Sequence, residues 1–155
     1  MWPFKRRLDI ATLPSVASAA HRWSVHQATH EGAPLIVRLN SSAEEWARHP
    51  APGVKLGFAV PLNAPCKGGL PTSEENSELQ EIEEVILEEV GSTAKAVYVL
   101  SITTGEMKEF VFYIAPGVDI AATHQTIRSR VRSHDVQCMA ITDPAWEAYT
   151  QFAAE

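Results

Sequence analysis

Residues 94–115 read AKAVYVLSITTGEMKEFVFYIA, and this stretch decides the fold. Ala96–Thr103 is rich in Val, Tyr, Ile and Thr; Met107–Ala115 sets Lys108 and Glu109 before Phe110, Phe112 and Ile114. Such β-branched and aromatic residues suit a pleated, half-buried surface, so each run predicts a strand. Between them Thr103-Thr104-Gly105-Glu106 predicts a tight turn, with Gly105 supplying the positive φ that short hairpin loops demand.

Working outward from this hairpin, Val54–Leu62 places Val54, Leu56, Phe58, Val60 and Leu62 on one face, a strand pattern of strict alternation. The Gly- and Pro-rich loop Asn63–Pro71 follows, and Thr72 with Glu75 forms a capping box that opens a helix near Ser73. Leu79, Ile82, Val85, Ile86 and Val90 recur at helical spacing, and Gly91 is the expected C′ residue. Beyond the hairpin, Asp119–Arg132 predicts a second helix, with Ile120, His124, Ile127 and Val131 on one face and Arg128, Arg130 and Arg132 near the end that favours cations. Val136–Ile141 predicts a last strand, and Asp143-Pro144 a cap and first-turn proline for a short helix carrying Trp146, Tyr149 and Phe152. Upstream, Trp23–Thr29 and Leu35–Asn40 flank the turn residues Glu31–Pro34 and predict another hairpin; Ala43–Arg48 can form one helical turn. From Val54 to Thr142 the order is β-α-β-β-α-β, so the expected fold is α+β, a ferredoxin-like split βαβ domain with an added N-terminal β-hairpin and a short C-terminal helix. The expected division is a flexible segment over 1–20 and a single domain over 21–155.

A chain of 155 residues buries roughly 68–70% of its extended surface, enough for one core. The net charge of −6 disfavours nucleic acid as a partner. That charge is concentrated: eight of nineteen acids lie within Glu74–Glu89, which holds no Lys or Arg, and the remainder is nearly balanced. Two cysteines, Cys66 and Cys138, make no disulfide framework, and a reducing cytoplasm is the expected compartment. Asp9, Thr12, Pro14 and Ser15 interrupt the apolar run a signal peptide needs, and no stretch has transmembrane character. Met1–Arg7 carries Trp2, Phe4 and Lys5-Arg6-Arg7, a patch that binds a membrane surface only weakly.

Several short motifs recur in order: Gly69-Leu70-Pro71 before an acidic helix, Glu81-Ile82-Glu83-Glu84 within it, Thr103-Thr104-Gly105 before Glu109–Tyr113, and Asp143-Pro144-Ala145-Trp146 with Tyr149. This set, spanning Trp23 to Phe152, resembles the bacterial family catalogued as domain of unknown function 695. It is similar, more remotely, to the family of regulator of ribonuclease E activity B. That likeness implies a small acidic ferredoxin-like protein acting by binding another protein, with no functional residue carried over.

The candidate sites are few. Glu74, Ser77, Glu81, Glu84 and Glu88 project outward at about 100° per residue from the buried stripe. Glu81/Glu84 and Glu84/Glu88 are like-charge neighbours, each pair costing about 0.2–0.5 kcal/mol. An unneutralised face of this kind points to a basic surface on a partner protein; Arg128, Arg130 or Arg132 could instead neutralise it. The expected function is therefore an acidic protein-interaction or inhibitor module rather than an enzyme, binding through Glu74, Glu81, Glu84 and Glu88. The alternative is a small-molecule binder or small enzyme using the 63–71 loop, where Lys67 flanks the Cys66 thiol and Gly68 and Gly69 follow. A structural homo-oligomer joined through exposed sheet edges or through the Trp- and Phe-bearing N-terminus is a further expectation. His26 and His30 share a strand face with His21 upstream, but match no metal-ligand spacing, and no metal or cofactor is expected. His124 reads as a hydrogen-bonded core histidine and Cys138 as a small core residue.

Overall fold

The computed structural model describes residues 22–47 and 52–153; the expectations for Met1–Arg7, for residues 1–20 and for His21 lie outside them. The chain forms β1 (Trp23–His30), β2 (Ala33–Asn40), a 3₁₀ helix (Ser41–Trp46), β3 (Val54–Pro61), α1 (Ser73–Thr93), β4 (Ala96–Thr103), β5 (Met107–Ile114), α2 (Ile120–Arg130), β6 (Gln137–Thr142) and α3 (Glu147–Ala153). The six strands make one sheet in the order β1-β2-β4-β5-β3-β6, every neighbouring pair antiparallel. β3 thus lies between β5 and β6, as the sequence order predicts, and the N-terminal hairpin extends the sheet beside β4. The β1–β2 turn is tighter than expected. Only Glu31 (φ 52) and Gly32 (φ 82) intervene, the two positive values of a two-residue primed turn.

Alternation along the strands divides the core in two. Leu56, Phe58, Val60, Phe110, Phe112 and Ile114 face Leu79, Ile82, Ile86 and Val90 of α1 and Ile127 of α2, so both long helices cover the same side. On the other side Leu39, Val97, Val99, Leu100, Val111 and Tyr113 are covered by Trp46 of the 3₁₀ helix and by Trp146 and Tyr149. A bulge between Tyr98 and Leu100 shifts the register of β4 by one. Tyr98 points toward α1, Val99 and Leu100 both join the second core, and Ser101 returns to the helix side. Being buried on both faces is why β4 and β5 read as near-continuous apolar runs.

Three local expectations are corrected. Gly91 does not end α1, which continues to Thr93 and is capped at Ala94. Pro144 is not at the first position of α3: the Asp143–Trp146 segment closes as a turn, Trp146 N–H to Asp143 O at 3.0 Å, and the helix begins at Glu147. Gly105 does not have positive φ; its role is set out below.

Candidate functional site

The N-terminal end of α1 gathers more polar groups than any motif foretold. Thr72 Oγ1 accepts the Glu75 amide at 3.2 Å, the expected half of a capping box. The Glu75 side chain does not return to Thr72. Its Oε1 accepts the Ala64 amide at 2.9 Å, and its Oε2 accepts the Asn63 amide at 3.0 Å and His134 Nε2–H at 2.5 Å. The pair is sealed, with side-chain exposures of 4% and 0%. Nδ1 of the same ring lies 2.9 Å from Ser133 Oγ. Burial pushes the Glu75 carboxyl up, but the His134 hydrogen bond, the two amides and the His134 charge together hold it below the usual carboxylate range. Asn63 Nδ2 donates to Ser133 O at 2.8 Å, so the 63–71 loop is tied both to α1 and to the segment entering β6.

The same loop is locked onto the β4–β5 turn. Leu62 N–H donates to Glu106 O, Cys66 N–H to Gly105 O at 2.7 Å, and Gly69 N–H to Cys66 O at 2.8 Å. A Cβ on residue 105 would stand 2.0 Å from Cys66 O and 2.7 Å from Gly69 O. Glycine is required there by close approach, not by a left-handed φ. Of the ligand-loop candidates, Cys66 and Gly69 therefore contact the hairpin, whereas Lys67 and Gly68 (φ 79) stand exposed at the loop's tip. The half-buried Cys66 thiol points at Ala64 O, 3.8 Å away.

The acidic residues of α1 separate into two groups. Glu75 holds His134, and Glu83 accepts from Tyr98 OH at 2.7 Å and Arg38 at 3.2 Å. Glu88 and Glu89 both meet Arg130, at 2.9 and 2.7 Å, and strengthen the hold of its guanidinium on its proton. The expected neutralisation from α2 is thus present, but only at the C-terminal end of α1. Glu74, Glu78, Glu81 and Glu84 are exposed and form no ion pair among the described residues. They occupy one outward stripe, into which Glu78, not singled out from the sequence, also falls.

The histidines are dispersed. His26 is exposed and contacts Ser24 Oγ at 2.9 Å; His30 is exposed beside Glu31; His124, half-buried, donates from Nε2 to Val136 O at 2.6 Å, the core role expected of it. Burial pushes the Cys138 thiol up to about 11. The ligand atoms of Glu75, Glu78 and His134 lie within 4.8 Å of one another, a grouping of metal-ligating types that the sequence reading missed. Glu75 and Glu78 are one helical turn apart, but His134 lies 59 residues from Glu75 and carries no spacing signal. Because Glu75 and His134 already bond to each other, and Glu75 also holds two amides, a cation would have to displace existing bonds. A cleft of about 280 Å³ lies elsewhere, lined by Thr93, Val118, Asp119, Ala122, Thr123 and Thr126. Its one carboxylate, Asp119, already accepts the Ala122 amide at 3.1 Å.

The Asp143-Pro144-Ala145-Trp146 motif is an anchor. Trp146 is fully buried, stacked on Tyr113 at 4.2 Å, and donates from Nε1 to Pro52 O at 2.7 Å. Asp143 accepts Tyr113 OH at 2.7 Å and the amides of Glu147 and Ala148. Burial raises its carboxyl, but these hydrogen bonds and the Lys55 charge hold it below its ordinary value.

Fold and surface together define an α+β domain with a six-stranded antiparallel sheet, helices on both faces and an acidic, partly unpaired helix. The chain belongs to the family of unknown function DUF695, which it matches over residues 21–153. No curated protein and no solved structure matches it. Among the described residues, no helix is long and apolar enough to cross a membrane.

Proposed function

We propose that this chain is a non-catalytic protein-binding module whose contact surface is the outward stripe of α1. One observation carries the reading: the other acids of α1 are matched by His134, Arg38, Tyr98 or Arg130, while Glu74, Glu81 and Glu84, with Glu78 beside them, keep their charge exposed. Glu88 borders the stripe with its charge shared by Arg130. Like charges so placed cost helix stability and are offset when a basic surface docks on them, where charge complementarity mainly raises association rate and selectivity. The β6-β3-β5-β4 block, with α1 and α2 on one side, fits the ferredoxin-like split βαβ arrangement. The remote resemblance to regulator of ribonuclease E activity B, read from the sequence alone, would imply a binding role as well. Two free cysteines fit a reducing cytoplasm. The ligand-loop reading has less support, because the amides of Asn63, Ala64, Cys66 and Gly69 already have acceptors within the protein.

The test is the combined variant Glu74→Gln, Glu81→Gln and Glu84→Gln. It is expected to stay folded, because no ion pair is broken, and to lose partners that wild-type protein retains from lysate of its native host. Wild-type capture should weaken with added salt, since exposed charges are screened over about 8–10 Å at ordinary ionic strength. Retention of every partner by the variant would refute the acidic-face reading. A second reading, self-association through the sheet edges, is favoured by the exposure of Val25 on β1 (67%) and of Met139 and Ile141 on β6 (56% and 44%). A concentration-independent monomer mass in light scattering would dismiss it.

A further inference from the structure

At one border of the sheet stands β6, whose single strand neighbour among the described residues is β3. The phase of the β3–β6 ladder fixes which backbone groups of β6 face outward. Asp143 N–H donates to Gly53 O at 2.8 Å, in the register that pairs Val54 with Thr142. Opposed residues of an antiparallel pair alternate between exchanging both N–H···O bonds and exchanging none. Counting on from Gly53 and Asp143, the bonded pairs are Lys55–Ile141, Gly57–Met139 and Ala59–Gln137. Cys138, Ala140 and Thr142 therefore turn their amides and carbonyls away from β3. The usual protections of a sheet edge are missing there. Gln137–Thr142 contains no proline and no charged residue, and no bulge interrupts its ladder.

The side chains of β6 decide what fits this edge. Met139 and Ile141 are exposed on the face turned from α1 and α2, in rows with Gly57 and Lys55 of β3. On the helix side stand the small residues Cys138, Ala140 and Thr142. We propose that β6 pairs antiparallel with β6 of a second copy of this chain, about a two-fold axis at Ala140. The outward-facing stretch is bounded at both ends: Val136 O is engaged by His124, and Pro144 has no N–H. Its centre is Ala140, so Ala140 meets Ala140 and Cys138 meets Thr142 of the second copy, each pair exchanging both bonds. The same register sets Met139 opposite Ile141 of the second copy at the non-bonded positions, where Cα atoms approach to about 4.5 Å and side chains pack closest. The exposed apolar pair of each copy is thus covered by that of the other. Charge agrees with this occupant. Two copies of a chain with net charge −6 repel in general, but this register opposes no like charges, and Asp143 falls opposite Gln137. The other edge, β1, exposes one large apolar residue, Val25, among Gln27 and Thr29. A contact of one short strand falls below the roughly 1,200 Å² of a standard interface, so the dimer dissociates on dilution.

The inference rests on the self-association reading above, to which it gives an edge and a register, and it is independent of the acidic stripe. Its test is sedimentation velocity of the full chain over a concentration series from low micromolar to near millimolar. The expected result is a reversible monomer–dimer equilibrium. Met139→Lys, at an exposed position opposite Gly57, should keep the wild-type unfolding midpoint and raise the dimer dissociation constant roughly tenfold or more, whereas Val25→Lys should leave it unchanged. Ala140→Cys brings two thiols to the axis with Cα atoms about 5.5 Å apart, within disulfide reach, so mild oxidation should give a covalent dimer. Gln137→Cys, opposite Asp143 rather than its own copy, should cross-link no more than wild type. A monomer at every concentration would overturn both this inference and the self-association reading. A dimer that survives Met139→Lys would overturn this inference alone, and equal cross-linking by the two cysteine variants would overturn its register.

Discussion

Replacing Gly105 by alanine tests the central structural claim, that the 63–71 loop is built against the tip of the β4–β5 hairpin. The added Cβ would stand 2.0 Å from Cys66 O, 2.7 Å from Gly69 O and 3.0 Å from the Cys66 carbonyl carbon. All three are backbone atoms, so no rotamer change relieves the overlap, and the loop must retreat by ~1 Å or more to reach ordinary contact. That retreat breaks the Cys66–Gly105 hydrogen bond, now 2.7 Å. Overpacking of about 1–3 kcal/mol and a lost hydrogen bond of about 0.5–1.5 kcal/mol give a destabilisation of about 2–4 kcal/mol. For a domain of this size that lowers Tm by about 5–15 °C. Gly68→Ala is the comparison: its φ is +79 but nothing lies within 4 Å, so only the left-handed penalty of about 1–2 kcal/mol applies. Denaturant unfolding of both variants, with hydrogen exchange at the Cys66 amide, decides the matter. If Gly105→Ala costs no more than Gly68→Ala and the Cys66 amide stays protected, the close-approach argument fails.

Three further outcomes follow from the core and the buried acids. Ile86→Ala, at a fully buried position on the sheet-facing side of α1, should cost roughly 2–5 kcal/mol in denaturant unfolding, whereas the glutamine variant of the acidic stripe should cost nothing measurable. Glu75 and Asp143 both have carboxyls held below their ordinary values of 4.5 and 3.8, so their stabilisation is present above those values and is lost as pH falls through the lower folded-state values. Stability should therefore hold from neutral pH to about pH 5 and then drop, and Glu75→Gln should flatten that drop; an unchanged acid limb would show that Glu75 is not its source. Elemental analysis of untagged protein should find far less than one zinc per chain, because Glu75 and His134 already satisfy each other; a stoichiometric metal surviving dialysis would contradict this.

The elements that repeat on a fixed period were legible. Val54–Leu62 alternates because β3 buries Leu56, Phe58 and Val60 against the helices, and α1 declares itself because only one stripe of it is buried. What the sequence hid are contacts with no period. His134 carries no spacing signal, and Glu75 reads as the closing half of a capping box; their meeting depends on α1 and the entry to β6 converging in space. Gly105 was located correctly as a turn glycine but for the wrong reason, since the Cβ clash comes from a loop about forty residues away in sequence. The acidic stripe was foreseen from helical geometry, while the pairing of Glu88 and Glu89 with one arginine required the packing of α2 on α1.

The motifs that mark the family fall, in this chain, on packing rather than chemistry. Gly69 and Gly105 let the loop seat on the hairpin, and Tyr113, Asp143, Trp146 and Tyr149 lock the last helix to the second face of the sheet. Trp146 even adopts φ +54, a left-handed backbone costing a non-glycine residue about 1–2 kcal/mol, which its stacking and its bond to Pro52 O offset. Residues so committed have no free group left for a ligand. The proposed binding role rests on groups that folding leaves unpaired among the described residues, the glutamates on the outward stripe of α1. Quenching the stripe with glutamine should remove partner capture while leaving the unfolding midpoint unchanged. A joint loss of capture and of stability would mean that these glutamates hold the fold and do not form a docking surface.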